Sequence, residues 1–297
     1  MKKLLIIICL ISTFVARSGE EKQFDTKNSF WTEFNFIQPI NKKFSGQLDF
    51  QYRTQSDQEF YQTDPNLTNI FLHPQQMVFR PWINYKLNKK VKLSFSPIGY
   101  WVSFGLSGSP GVKSPSGVEP NSMFLRTPEY RVILQTILYD RIGRVKLQQR
   151  YRYEFRWASR SESLETPDNI LTGNFSLSPG DLLNDTKHKQ RFRYALKGAI
   201  ALKGQTIDRN EFFIPFSSEV LLGVSSIVKP SNMLDQNRSS IGIGYKTKNG
   251  ITLQLAYLKQ IKSGKSIGDV FHFDDNNVLY VGVKFSDLGS LLKKKPN

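Results

Sequence analysis

The chain has 297 residues, which is enough for one large domain or two ordinary ones. Its formal charge is +16, a balance that usually indicates nucleic acid or acidic surfaces as partners. The only cysteine, Cys9, lies in an apolar leader, so the rest of the chain can form no disulfide framework and carry no thiol chemistry. No later run is apolar for long enough to predict a membrane helix. A mean hydropathy of −0.38 does not exclude a β-barrel, because a barrel wall is apolar only at every second position.

The chain begins with the pattern of an export signal. Lys2 and Lys3 precede an apolar run at residues 4–15, and residues 16–18 form a small-x-small cleavage site. The alternative is an inner-membrane anchor, but the apolar run is too short to span a bilayer comfortably. We therefore predict that residues 1–18 are a signal peptide.

Strand-like runs fill most of the remaining chain. A polar N-terminal segment at 19–29 precedes a predicted barrel domain at 30–286, and a basic tail at 287–297 follows it. Turn signals separate the runs from one another. The eleven runs cover residues 30–38, 44–53, 76–87, 91–101, 124–139, 144–157, 189–200, 212–224, 236–246, 251–261 and 277–285.

The run at 144–157 shows the pattern most clearly. Its sequence is RVKLQQRYRYEFRW, in which almost every second residue is charged and the residues between them are mostly apolar or aromatic. Successive side chains of a strand point to opposite faces, so one face of this strand is apolar and the other is charged. A strand of about 9–14 residues with an apolar outer face and a polar inner face is typical of a transmembrane β-barrel.

The connections between the runs give a second, independent indication. Short turns at 39–42, 88–90 and 142–143 alternate with long connections, of which 54–74 and 158–186 are the longest. Outer-membrane barrels have short turns at one end and long loops at the other. We therefore predict an all-β, antiparallel, up-and-down transmembrane β-barrel in a bacterial outer membrane. A soluble barrel is the remaining alternative.

The number of strands is harder to predict from these runs. Bacterial single-chain barrels have an even number, which favours about twelve strands with ten as the fallback. The odd count could be resolved if residues 20–28 contained a short strand. It could also be resolved if that segment threaded upward through the lumen.

Strand parity assigns most of the charge to the lumen. Basic side chains at mid-depth on a lipid-facing surface would each cost about 2–4 kcal/mol, so their confinement to one face is evidence of orientation. The predicted lumen-lining residues are Arg53, Arg80, Glu129, Arg131, Arg150, Arg152, Glu154, Arg156, Arg191, Arg193, Glu219 and Arg238. Lys86, Lys92, Lys146, Lys197 and Lys246 have the same parity.

The tryptophans divide between the two faces. Parity predicts that Trp31 and Trp82 point inward and fill the lumen. It predicts that Trp101 and Trp157 point outward, near the external ends of their strands, as an aromatic girdle would.

The fifth and sixth runs also predict a register. If residues 142–143 alone form the turn, Arg131 faces Glu154 and Glu129 faces Arg156. A shift that placed Arg131 opposite Arg152 would set like charges directly across the ladder, which is unfavourable.

Three functions fit these observations to different degrees. An arginine-rich lumen can select anions, which predicts a channel for small anions or acidic oligosaccharides. Alternatively, the charges form a network that plugs a narrow barrel and leaves a structural or docking role. A lipid-modifying barrel enzyme is the least supported, because His73, His188 and His272 lie in or beside predicted loops and outside any catalytic motif. We therefore expect no enzymatic activity.

The expected partners follow from the same reasoning. No metal-ligand cluster, glycine-rich phosphate loop or paired-carboxylate spacing occurs in the sequence, so we expect no cofactor and no metal. We expect contact with outer-membrane lipid and with small anionic solutes. Nucleic acid is not an expected partner of an exported barrel, and protein partners are not predicted.

An ordered set of short motifs resembles a known family. The set comprises Phe30-Trp31-Thr32-Glu33, Arg53, Glu129-Tyr130-Arg131, Arg150-Tyr151-Arg152-Tyr153-Glu154, Arg191-Phe192-Arg193-Tyr194, Glu219 and Gln236-Asn237-Arg238 before a Gly-x-Gly-Tyr strand. It resembles the outer-membrane barrel family catalogued as domain of unknown function 2490. The resemblance covers about residues 30–285 and implies a barrel in a Gram-negative outer membrane, with no activity and no catalytic residues.

Overall fold

The computed structural model of the chain describes residues 21–56, 69–71, 73–106, 124–159, 162–163, 187–224, 233–267 and 270–289. The predicted signal peptide and most of the basic tail lie outside these residues. The described strands are β1 (Glu21–Pro39), β2 (Phe44–Gln55), β3 (His73–Lys86), β4 (Val91–Leu106), β5 (Phe124–Ile142), β6 (Val145–Ala158), β7 (Glu162–Ser163), β8 (Lys187–Ala201), β9 (Glu211–Gly223), β10 (Leu234–Lys246), β11 (Ile251–Ile267) and β12 (Val270–Phe285). Within the same ranges, no helix has the length and apolar character needed to cross a bilayer.

Eleven of these strands form one closed wall. Their order is β4-β3-β2-β1-β12-β11-β10-β9-β8-β6-β5, and β5 pairs with β4 to complete the circle. The two-residue β7 pairs only with Leu125 and Arg126 of β5, beyond the point where β6 ends. The predicted all-β barrel is confirmed, with one wall strand fewer than the twelve expected.

The odd number is made possible by one parallel seam. Every neighbouring pair in the wall is antiparallel except β1 and β12, which run parallel from Glu21↔Val270 to Phe36↔Phe285. A meander of alternating strands has its first and last strands in the same direction when their number is odd, so the closing pair must be parallel. The even number typical of bacterial barrels therefore does not apply to this wall.

The predicted polar segment before the first strand belongs to β1. β1 begins at Glu21 rather than Phe30, so residues 21–28 are part of the wall and do not thread the lumen. Their backbone pairs with β12, and the Phe24 ring stacks on Phe273 at 5.2 Å between centroids. Further along this parallel pair of strands, the Ser29 hydroxyl donates to Asn276 Oδ1 at 2.8 Å.

The two ends of the barrel differ in their connections. At one end, the short-turn end, the tight connections include Gly143 and Gly250, whose φ angles of 55° and 83° are left-handed and suit glycine. At the other end, the long-loop end, β2, β4 and β6 end, and the longer stretches 56–72, 107–123 and 159–186 separate them along the chain from the next wall strands. The β11–β12 connection at the long-loop end is only residues 268–269, because both strands extend further than the alternation pattern predicted.

The outer face of the wall is apolar. Large hydrophobic side chains at least 39% exposed occur on nine of the described strands, and most of them have the predicted outward parity. Those on the wall strands include Phe79, Ile83, Leu93, Phe95, Leu134, Phe212, Ile241, Ile243, Leu253, Leu255, Tyr257 and Leu279. Most ionic side chains of the same strands point to the interior, as the alternation predicted. Lys259 and Asp275 are exceptions, because they share the outward parity of Tyr257 and pair with each other at 2.6 Å.

Trp101 is an exception to the parity prediction. Ser94 and Ser96 of β4 face inward, but the pairing of β4 with β5 shifts between Ser96 and Gly99. This bulge changes the parity of the rest of the strand. Trp101 is consequently inside and only 3% exposed, in a cluster with Trp82, so its predicted place in an outer girdle is wrong. Trp157 lies on the outer side beside His188, as predicted.

Candidate functional site

The interior of the barrel contains a cavity of about 700 Å³. Its lining extends from Lys27 in the part of β1 near the long-loop end to Lys284 at the short-turn end of β12. Eleven of the twelve predicted lumen residues line it. These are Arg53, Arg80, Glu129, Arg131, Arg150, Arg152, Arg156, Arg191, Arg193, Glu219 and Arg238.

The twelfth, Glu154, lies at the centre of an ionic network. Its side chain is 0% exposed, and four guanidinium groups surround it. The nearest is that of Arg193, at 2.7 Å, followed by Arg131 at 3.2 Å. Arg152 and Arg191 stand at 3.7 and 3.8 Å. A carboxylate at this position is stable only because several cations and hydrogen bonds replace its lost hydration.

Arg193 joins this centre to a second carboxylate. Its Nε and one terminal nitrogen donate to the two oxygens of Glu219 at 3.0 and 2.9 Å, while the other terminal nitrogen donates to Glu154. Arg150 donates to Glu219 at 2.6 Å, and Arg238 stands 4.0 Å away. The fork of donors on Arg193 therefore ties β6, β8 and β9 together.

The pairing of β5 with β6 corrects the predicted register. Gly143 and Arg144 form the turn, so Arg131 lies opposite Arg156, and the register is two positions away from the prediction. The predicted ion pairs nevertheless form along the diagonals. Arg156 donates to both oxygens of Glu129 at 2.6 and 2.8 Å, and Arg131 reaches Glu154. Long side chains span diagonal neighbours, and the carboxylates offset the two opposed cations.

A third carboxylate, Asp49, holds the neighbouring part of the wall. Its Oδ2 accepts two hydrogen bonds from Arg80, at 2.9 and 2.7 Å, and one from the Trp82 indole at 2.8 Å. Its Oδ1 accepts from the amides of Asn35 and Gln47. Asp49 is 3% exposed, and all its acceptor capacity is directed into the wall.

Arginines also stack on tryptophans across the lumen. The guanidinium carbon of Arg53 lies 3.9 Å from the ring centroid of Trp31, and that of Arg238 lies 5.3 Å from the same ring. Arg152 lies 5.0 Å from Trp82. Trp31 and Arg238 belong to strands three apart in the wall, as do Trp82 and Arg152. These contacts cross the interior and narrow it.

The charge of the lining is strongly positive. Among the described residues that line the cavity, seventeen are Lys or Arg and four are Asp or Glu. The four are Glu33, Glu129, Glu219 and Asp274. Rings of such cations attract anions and repel cations.

Some interior residues were not identified from the sequence. Lys284 was not assigned to the lumen, although its parity with the inward Tyr280 could have indicated it. Asp235 pairs with Arg191 at 2.5 Å and precedes the motif that was singled out. The ring centroid of Trp101 lies 3.9 Å from the guanidinium carbon of Arg131. Parity could not identify Trp101 as an interior residue, because the bulge in β4 precedes it.

His188 and His272 lie away from the ionic network around Glu154. His188 packs against Trp157 and Phe155, and His272 lies 3.3 Å from Asp25 near the long-loop end. In the part of the chain that the structure describes, no group of three or more His, Cys, Asp or Glu residues could hold a metal ion.

Comparison with known proteins identifies a family. The model of the family described as "Protein of unknown function (DUF2490)" matches residues 28–270, which is most of the chain. Neither a search of curated proteins nor one of solved structures finds a match. The matched range includes β2 to β11 in full, most of β1, and all of the guanidinium groups that surround Glu154. The chain therefore belongs to the DUF2490 family.

Proposed function

We propose that the protein is a bacterial outer-membrane β-barrel whose lumen is a narrow, anion-selective passage. The observation that carries the proposal is the interior cavity, whose lining extends toward both ends of the wall and has a large excess of Lys and Arg over Asp and Glu. The occupants we propose are small anionic solutes or acidic oligosaccharides. The proposal includes no catalytic activity, no cofactor and no nucleic-acid partner.

The outer face supports the membrane location. Apolar and aromatic side chains cover it, and side chains such as Ile241 and Leu255 are 60% and 49% exposed. A soluble protein rarely exposes a continuous apolar surface around its whole circumference, whereas lipid requires one. The closed wall also leaves no unpaired strand edge, which hydrocarbon would not tolerate.

The interior supports anion selectivity rather than a general pore. An anion entering the lumen meets guanidinium and ammonium groups at every level, while a cation meets a positive potential. The stacked Arg53, Trp31 and Arg238 narrow the passage, so we expect a small conductance.

One observation favours the alternative, a sealed barrel with a structural or docking role. Glu154 is completely buried, and the contacts of Trp31 and Trp82 with arginines cross the interior. If these contacts close the lumen, the external loops would carry the function.

Single-channel recording in planar bilayers distinguishes the two. The purified full chain in a salt gradient should show a reversal potential of the sign that anion permeation produces. Trp31→Ala removes the ring between Arg53 and Arg238 and should raise the conductance. Trp157→Ala is the matched control, because Trp157 lies on the outer side of the wall, and it should leave the conductance unchanged.

The proposal would be contradicted by cation preference. It would also be contradicted if neither the natural chain nor the Trp31→Ala variant carried current, which would support the sealed barrel.

A further inference from the structure

Four lysines at the short-turn end of the lumen differ from the rest of the interior charge. We name Lys92, Lys146, Lys197 and Lys284 the lumenal lysine cluster. They come from β4, β6, β8 and β12, and each has the inward parity of its strand. None of the four forms an ion pair with a described carboxylate.

The cluster is drawn from opposite sides of the barrel. Lys146 of β6 and Lys284 of β12 are five strands apart, which is the greatest separation that an eleven-stranded wall allows. Lys146, Lys197 and Lys284 nevertheless line the same interior cavity, together with Arg150. Lys92 and Lys146 both line a smaller cavity beside the short turns. The four lysines therefore lie around one region of the lumen.

The pairing within the wall adds to the repulsion. Lys86 and Lys92 occupy directly opposed positions of β3 and β4, and Arg141 and Lys146 do so in β5 and β6. Like charges at opposed positions are destabilising unless something compensates them. The carboxylates that lie nearby are engaged elsewhere. Glu211, opposite Lys246, accepts from the backbone nitrogen of Asp208.

Two further observations point to a ligand. Asp49, whose charge acts on both Lys92 and Lys284, already accepts from Arg80, Trp82 and two amides. Above the cluster, Arg150 uses a terminal nitrogen for Glu219. Its Nε is buried and donates to no described residue. Among the described residues, no acceptor forms a hydrogen bond with these four ammonium groups or with Arg150 Nε.

We infer that the lumenal lysine cluster, with Arg150 above it, binds a small multivalent oxyanion of the phosphate type. Such an anion has three or more acceptor oxygens and at least two negative charges, which matches several convergent ammonium groups and one guanidinium donor. A monovalent halide would use only one or two of these donors. The inference deepens the proposed anion passage and rests on it for the route of entry, but binding itself requires no current.

The test is calorimetric titration of the detergent-purified full chain with inorganic pyrophosphate, in a chloride buffer. We expect saturable binding by the natural chain. Lys146→Gln and Lys284→Gln should each weaken it about tenfold, because each removes a charge-assisted hydrogen bond. Lys259→Gln is the control, because it removes the same charge from the middle of β11, on the outward parity of Tyr257, where Lys259 pairs with Asp275 at 2.6 Å.

Three results would overturn the inference. The first is no heat and no saturation with pyrophosphate. The second is equal weakening by Lys259→Gln, which would indicate only the net charge of the chain. The third is binding of short-chain phosphatidic acid but not of pyrophosphate, which would assign the site to a lipid headgroup. A chain that binds pyrophosphate yet carries no current would sustain this site and contradict the passage.

Discussion

The two halves of the lumen hold their positive charge in different ways. Toward the long-loop end, each guanidinium has a carboxylate, an amide or an aromatic ring beside it, and Glu154 alone contacts four arginines. Toward the short-turn end, the lysines of the lumenal lysine cluster form no ion pair with a described carboxylate. The first half is built as a structural network, and the second retains capacity for an external anion. The difference shows that the positive residues of one lining can have two roles. Cations paired with carboxylates stabilise the wall, whereas unpaired cations can bind an anion.

The substitution with the largest expected effect on stability is Glu154→Gln. The change leaves four buried guanidiniums around a neutral group, and loss of one partner in a buried ionic network costs about 3–5 kcal/mol. We expect a loss of that size in the free energy of unfolding, measured by urea titration in detergent micelles. Asp140→Asn, at an exposed position near the end of β5, is the control and should change little.

Rescue would sharpen this result. Adding Arg152→Gln to Glu154→Gln removes a cation whose one ion pair among the described residues is with Glu154, and part of the lost stability should return. A double variant less stable than Glu154→Gln by the full effect of Arg152→Gln would show that the two residues act independently.

Asp49→Asn should have a smaller effect of about 2 kcal/mol. Asp49 neutralises one guanidinium, that of Arg80, and the substituted amide keeps an oxygen that can accept from it. The same urea titration measures it. An effect equal to that of Glu154→Gln would mean that the number of surrounding cations does not determine the cost.

Gly198→Ala tests whether the short-turn half is loosely packed. A Cβ atom on Gly198 would lie 2.0 Å from the ring of Phe216, so the ring must move, at a cost of about 1–3 kcal/mol. Gly46→Ala is the control, because a Cβ atom there meets nothing within 4 Å. Equal stability of the two variants would indicate that the wall near Lys197 yields easily.

The smallest expected effect is that of Lys284→Gln. Because Lys284 repels Lys92 and Lys146, its removal should leave the free energy of unfolding unchanged or raise it by up to about 0.5 kcal/mol without added anion. Pyrophosphate should stabilise the natural chain more than the variant in the same titration. A large destabilisation would place Lys284 in the structural network and remove the contrast between the halves.

The sequence by itself determined the faces of the wall. Alternation in residues 144–157 depends only on the two-residue period of a strand, so it located Arg150, Arg152 and Arg156 on the inside without knowledge of any neighbour. The barrel class followed from repeating that pattern with short turns between long connections.

Tertiary structure decided what depends on partners distant in the chain. The parallel seam of β1 with β12 sets the odd number of strands, and pairing across the whole chain cannot be inferred from local period. The turn at Gly143 and Arg144 set the β5–β6 register, and the bulge after Ser96 moved Trp101 inside. A change of register or a bulge shifts a strand by one or two residues relative to its neighbour. The alternation within one strand does not reveal such a shift, but the shift determines which residues form ion pairs.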